Sequence, residues 1–156
     1  MTPVSPEEKL QAMGLSLPVL PASKGIYKRC LADGKHLYVS GHISVNTDGT
    51  PITGKLGRDL DEEQGTAAAR QCGLAILASL REHLGNLSKV KRVIKILGMV
   101  NSVPEYEKHP QVINGCSQLF VDVWGDDLGK GVRSAVGMGS LPGNVAVEIE
   151  ALFEIQ

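Results

Sequence analysis

The stretch Gly131-Val132-Arg133-Ser134-Ala135-Val136-Gly137, then Leu141-Pro142-Gly143-Asn144, then Val145-Ala146-Val147-Glu148-Ile149-Glu150-Ala151 is the most informative part of this chain. Its last segment alternates without a break. Val145, Val147, Ile149, Ala151, Phe153 and Ile155 are apolar, while Glu148, Glu150 and Glu154 hold positions between them. A period of two marks a strand with one buried and one polar face. Pro142-Gly143 suits the centre of a type II turn, because proline presets φ and glycine accepts positive φ. The spacing therefore predicts a β-hairpin in which Gly137 faces Glu148, Ala135 faces Glu150 and Arg133 faces Leu152. All would share one wall, with Arg133 diagonal to Glu150 at roughly 7–8 Å.

That wall has chemistry. A guanidinium fork is a carboxylate clamp, and a glutamate beside it can handle a proton or a water. Ala135 and Gly137 are small and leave space in front of the acids. The same pair is more often an ordinary salt bridge worth about 0–1 kcal/mol, so the hairpin alone leaves both readings open.

Working outward, Glu62 to Leu84 has apolar residues at helical period, with Ala68, Cys72, Ala75, Leu80 and Leu84 in the stripe and Gly85 as C-cap. A second helix starts at Pro110 and buries Val112, Cys116, Leu119, Phe120 and Val123, with Asn114 and Trp124 off the stripe. A polar loop is expected over 125–131. Between the helices, Val90 to Val100 reads as a strand, with Arg92, Ile94, Ile96, Gly98 and Val100 on one side and Val93, Leu97 and Met99 on the other. Ile26–Leu31 and His36–Gly41 read as two short strands around an Asp33-Gly34 turn. Residues 50–60 read as an extended loop. Ser5-Pro6-Glu7-Glu8 reads as the capped start of a short helix ending at Gly14. The expectation is one α+β domain over 1–156, its first 25 residues a helix and an irregular extension, with two helices on one face of a mixed sheet. The other sheet face is half apolar, and self-association is the simplest way to bury it.

The 156 residues carry a net charge of −1 and only 4% aromatics, which gives no general attraction to nucleic acid or membrane. Three scattered cysteines (Cys30, Cys72, Cys116) read as reduced core thiols, and the chain start shows no secretory signal, so a cytoplasmic location is expected. The four histidines lack metal-ligand spacing, and no metal or cofactor is expected.

The residues support a comparison. The chain resembles the reactive-intermediate deaminase family, called RidA or YjgF and also labelled L-PSP endoribonuclease. The resemblance rests on Tyr38-Val39-Ser40-Gly41-His42, like the family's Ser-Gly-Gln strand with histidine for glutamine. It also rests on Gly57-Arg58-Asp59-Leu60, on Val93 to Val100, and on Arg133 followed by Leu141-Pro142 and Val147-Glu148-Ile149-Glu150-Ala151. The run Leu97 to Ser102 and the N-terminal helix look like a longer branch.

The resemblance implies a chorismate-mutase-like fold and a homotrimer whose sheets form a central barrel, with clefts between subunits. It implies hydrolysis of enamines and imines such as 2-aminoacrylate to 2-keto acids and ammonia, as by a 2-iminobutanoate/2-iminopropanoate deaminase. Arg133 would bind the substrate carboxylate and Glu148 would orient the attacking water. Tyr27, Gly41, Asn114 and Ala135 would line the site, with Ala135 where many members have cysteine. The alternatives are a trimer that binds keto acids without turnover and, less favoured, an endoribonuclease.

Overall fold

The computed structural model describes residues 2–156. The elements in chain order are α1 (Pro6–Ala12), β1 (Cys30–Asp33), β2 (His36–Ile43), α2 (Glu62–Leu84), β3 (Val90–Asn101), α3 (His109–Leu128), β4 (Val132–Met138) and β5 (Val147–Ile155). The five strands form one sheet in the order β1-β2-β5-β3-β4. β3 and β4 are parallel; the other pairs are antiparallel. α2 and α3 pack on each other and on one sheet face, giving the α+β architecture expected.

The helices form where their signals sit. Asp61 and Gln64 make a reciprocal capping box at the start of α2, and Gly85 closes its end at φ 93°. Ser5 and Glu8 do the same for α1. α3 runs beyond the expected loop boundary. It passes Gly125, whose φ of 91° kinks the run, and ends at Leu128.

The central hairpin is not formed. β4 lies against β3, with Arg133 beside Ile96, Ala135 beside Gly98 and Gly137 beside Val100. β5 lies on the far side of β3. The reason is the β3–α3–β4 connection. A strand, a helix and a second strand make a crossover, which sets the second strand parallel to the first. That occupies the edge, so β5 inserts between β2 and β3. The turn at Pro142–Asn144 does form, with Gly143 at φ 62°. The residues after it bond elsewhere: Ala146 N–H donates to Ile52 O, and Asn101 N–H donates to Ala146 O.

The alternation read for β5 is present. Val147, Ile149, Ala151, Phe153 and Ile155 are buried under the helices. Phe153 meets Phe120 and Trp124 with ring centroids 5.7 and 5.8 Å away. β3 departs from simple parity. Register irregularities between Val90 and Arg92 and between Val93 and Lys95 shift its phase, so Val93 joins the core instead of the open face. Gly98 is required beneath α3, since a Cβ there would lie 2.5 Å from Ile113 Cδ1. The first strand starts at Cys30, and Ile26 and Tyr27 lie exposed before it.

The sheet face away from the helices is uncovered in the single chain. Leu31 (52% exposed), Tyr38 (49%) and Val132 (67%) stand out from it, with Leu97, Met99 and Leu152 half-buried among them. Single exposed apolar residues are ordinary, but an apolar group on one sheet face marks a contact surface.

Candidate active site

The sheet divides the expected site residues into two groups. Residues paired across neighbouring strands project to the same side. Arg133 shares the row of buried Ile96 and Ala151, so it points to the helix face. Glu148 sits between Met99 and Ile43 in the alternate rows and points to the open face. The expectation that Arg133, Glu148 and Glu150 share one wall is therefore corrected. It required β4 to pair with β5, and one strand lies between them. Within one chain the clamp and the acid diverge.

The first group lies along the β4 edge. Arg133 Nη1 donates to Ser117 Oγ at 3.0 Å and Nη2 donates to Pro110 O at 3.4 Å. Both partners come from α3, and both are neutral. Among the described residues no carboxylate forms an ion pair with Arg133. Its charge is thus oriented but not neutralised, which suits an incoming carboxylate. Asn114, Ser117 and Arg133 line one cavity of about 400 Å³ with Ile96 and Gly131. Ala135 follows on the same side of β4, beside Gly98.

The second group lies beyond the other sheet face. Tyr27, Gly41 and Glu148 line one cavity of about 680 Å³, together with Ser40, Ile43 and Pro142. Between Val39 and His42 the register of β2 slips by one residue against β5. This bulge re-aims Ser40 and Gly41, a common device near functional sites. Gly41 faces the acid closely: a Cβ there would lie 3.0 Å from Glu148 Cδ and Oε2. Burial, then the charge of Glu150, pushes the Glu148 carboxyl above the usual range. A base of this kind is better matched to neutral pH than an exposed glutamate.

His42, scattered from the other histidines in sequence, turns out to be 7% exposed and doubly bonded, to Ser40 O and to Ser79 Oγ. Ser79 lies on α2, 37 positions away, and no local spacing announces the contact. A separate cleft is lined by Lys55, Arg58, Ser102, His109 and Gly137–Gly139. Sequence spacing did not assemble it, since the two ends of β3 and β4 meet there only through the parallel pairing. The cysteines are free and buried. Burial pushes the Cys30 thiol up to about 11 and that of Cys116 higher still, which leaves them core residues without nucleophilic character. Among the described residues no group of three or more His, Cys, Asp and Glu side chains could hold a metal. No described helix is long and apolar enough to cross a membrane.

Residues 7–152 match the model of the family described as "YjgF/chorismate mutase-like, putative endoribonuclease". Protein TCP17 of Trypanosoma cruzi is 40% identical over 146 residues, covering 94% of this chain and 91% of that protein. The crystal structure of Atu1372, a protein of unknown function from Agrobacterium tumefaciens, is 42% identical, with a TM-score of 0.89 over 97% of this chain and 92% of that one. A candidate endoribonuclease from Shewanella oneidensis superposes with a TM-score of 0.91 at 28% identity, covering 97% of this chain and 99% of that one. On sequence, fold and coverage together, the chain belongs to the YjgF/chorismate-mutase-like family.

Proposed function

We propose that this protein hydrolyses small 2-imino acids, formed from enamines such as 2-aminoacrylate, to 2-keto acids and ammonia. The site is assembled from two copies. Arg133, Asn114 and Ala135 come from one protomer, and Tyr27, Gly41 and Glu148 come from its neighbour in a homotrimer.

The observation that supports this reading is the split itself. Each half is incomplete and chemically complementary to the other. One offers an oriented guanidinium without a carboxylate partner. The other offers a glutamate of raised proton affinity beside an open cavity. The apolar residues on the open face give a second copy a surface to cover.

The chemistry is balanced by water alone. The enamine tautomerises to its imine. Arg133 fixes the carboxylate, which removes much of the entropic cost of attack. Glu148 takes a proton from a water as its oxygen adds to the C=N carbon. Glu148 returns that proton to nitrogen and then carries the hydroxyl proton there as well, the C–N bond breaks, ammonia leaves and the C=O bond closes. An imine protonated at nitrogen is already electrophilic.

The test generates 2-aminoacrylate in a coupled assay and follows loss of its imine with and without the protein. Acceleration is expected, and Arg133→Ala should abolish it while the oligomer seen by light scattering stays intact. No acceleration from a folded trimer overturns the reading. The feature favouring a keto-acid-binding module is Ala135, where the family resemblance implies a cysteine in many members. Saturable pyruvate binding without turnover would identify that case. RNA cleavage lost in both Arg133→Ala and Glu148→Ala would favour the endoribonuclease reading.

A further inference from the structure

His42 is buried and bonded at both ends of its ring. Nδ1 lies 2.6 Å from Ser40 O. A carbonyl only accepts, so Nδ1 carries the proton and donates. Nε2 lies 2.6 Å from Ser79 Oγ and therefore accepts from the hydroxyl. One neutral tautomer satisfies both bonds. The ring thus ties the bulge of β2 to α2.

The bulge is held at other points as well. Ser40 N–H donates to Arg29 O at 2.9 Å, and Ser40 Oγ donates to Lys28 O at 2.6 Å. Those two residues follow Tyr27 directly. On its open side the bulge presents Gly41, which packs so closely on Glu148 that a Cβ there would lie 3.0 Å from the carboxyl and push it aside. His42 therefore braces from behind the wall that Glu148 and Tyr27 share.

We propose that His42 is a positioning residue: its two hydrogen bonds fix the Ser40–Gly41 bulge, and through Gly41 they set the placement of the Glu148 carboxylate. Its kinetic consequence rests on the deaminase reading, whereas its effect on Glu148 does not. His42 touches no substrate. It should act on the step Glu148 performs and leave carboxylate capture by Arg133 alone.

The test compares wild type, His42→Gln, His42→Leu and Ser79→Ala. Three readouts are taken: steady-state kinetics on 2-aminoacrylate, the Glu148 titration by carboxyl ¹³C NMR, and the His42 tautomer by long-range ¹⁵N NMR. Glutamine can donate to Ser40 O and accept from Ser79, so His42→Gln should stay close to wild type. His42→Leu should lower kcat about 10- to 100-fold with little change in KM, and should move the Glu148 titration. Ser79→Ala removes one bond only and should do the same to a smaller degree, which keeps the test open if His42→Leu fails to fold. Wild-type kcat and an unmoved Glu148 titration in both would overturn the proposal. So would an Nε2–H tautomer, or kcat and KM changing together in step with lost stability. A wild type without deaminase activity whose Glu148 titration still moves in His42→Leu would sink the deaminase reading and keep the positioning role.

Discussion

β4 and β5 are consecutive strands built from similar residues, and they behave differently. β5 is central, bonded on both sides, and buries every second side chain. β4 is an edge strand, half-buried at best along its length. The central strand carries the acid and the edge strand carries the arginine. Burial raises the proton affinity of Glu148, and the edge leaves Arg133 free to meet a charge from outside its own chain. The difference teaches that one sheet can hold two charged groups in contrasting environments on opposite faces, and the proposed function requires assembly to bring them together.

The strongest test of that division is Glu148→Gln. It removes the proposed base but keeps the shape, so kcat should fall about 10²- to 10⁴-fold with KM little changed, as steady-state kinetics would show. A large rise in KM instead would mean that the open-face half also captures the carboxylate.

Next, the strands should differ in stability. Phe153→Ala in β5 removes the ring that Phe120 and Trp124 pack against, and should cost about 3–5 kcal/mol in urea unfolding. Val136→Ala on the outer side of β4 should cost under about 0.5 kcal/mol in a dissociated chain. Equal costs would erase the distinction between a core strand and an edge strand.

The smallest effect is in pH dependence, where two groups on either side of the β2 bulge have opposite signs. Burial, and secondarily the charge of Arg29, lowers the His42 pKa from the ordinary 6.5, although its bond to Ser40 works the other way. The unfolded chain then takes the proton first, so this stability is present above 6.5 and is lost as pH falls through the folded value. Glu148 has the reverse sign. Its pKa is raised from 4.5, so its contribution is full below 4.5 and is lost as pH rises through the folded value. In urea unfolding between pH 5 and 7.5, His42→Gln should gain on wild type as pH falls. Glu148→Gln should be slightly more stable than wild type near pH 7, and that advantage should shrink on acidification. Parallel trends in the two variants would contradict the assignment.

Much of this was legible in the chain, and the failures have physical causes. α2 was readable because its apolar stripe and Gly85 agree. β5 was readable because a strand covered on one face must alternate. The partner of β5 was not, because parity shows which residues share a face of one strand and says nothing of its neighbour. Pro142-Gly143 signalled a true turn, but a turn between two strands makes a hairpin only if the strands then pair. The intervening α3 had already committed β4 to β3. Hence the residue types of the candidate site and the polar face of Glu148 were visible, while the face of Arg133 was not. The bulges that place Val93 in the core and Gly41 against Glu148 left no mark in the spacing. His42 was equally silent, since its partner Ser79 is distant along the chain.

The central claim is that Arg133 and Glu148 work together only across two copies. Arg133→Ala and Glu148→Ala, each inactive alone, can be co-refolded in equal amounts and assayed on 2-aminoacrylate. With random association each seam has about one chance in four of uniting an intact Arg133 with an intact Glu148. About a quarter of the wild-type rate should therefore return. A mixed oligomer as inactive as its parents would contradict the account.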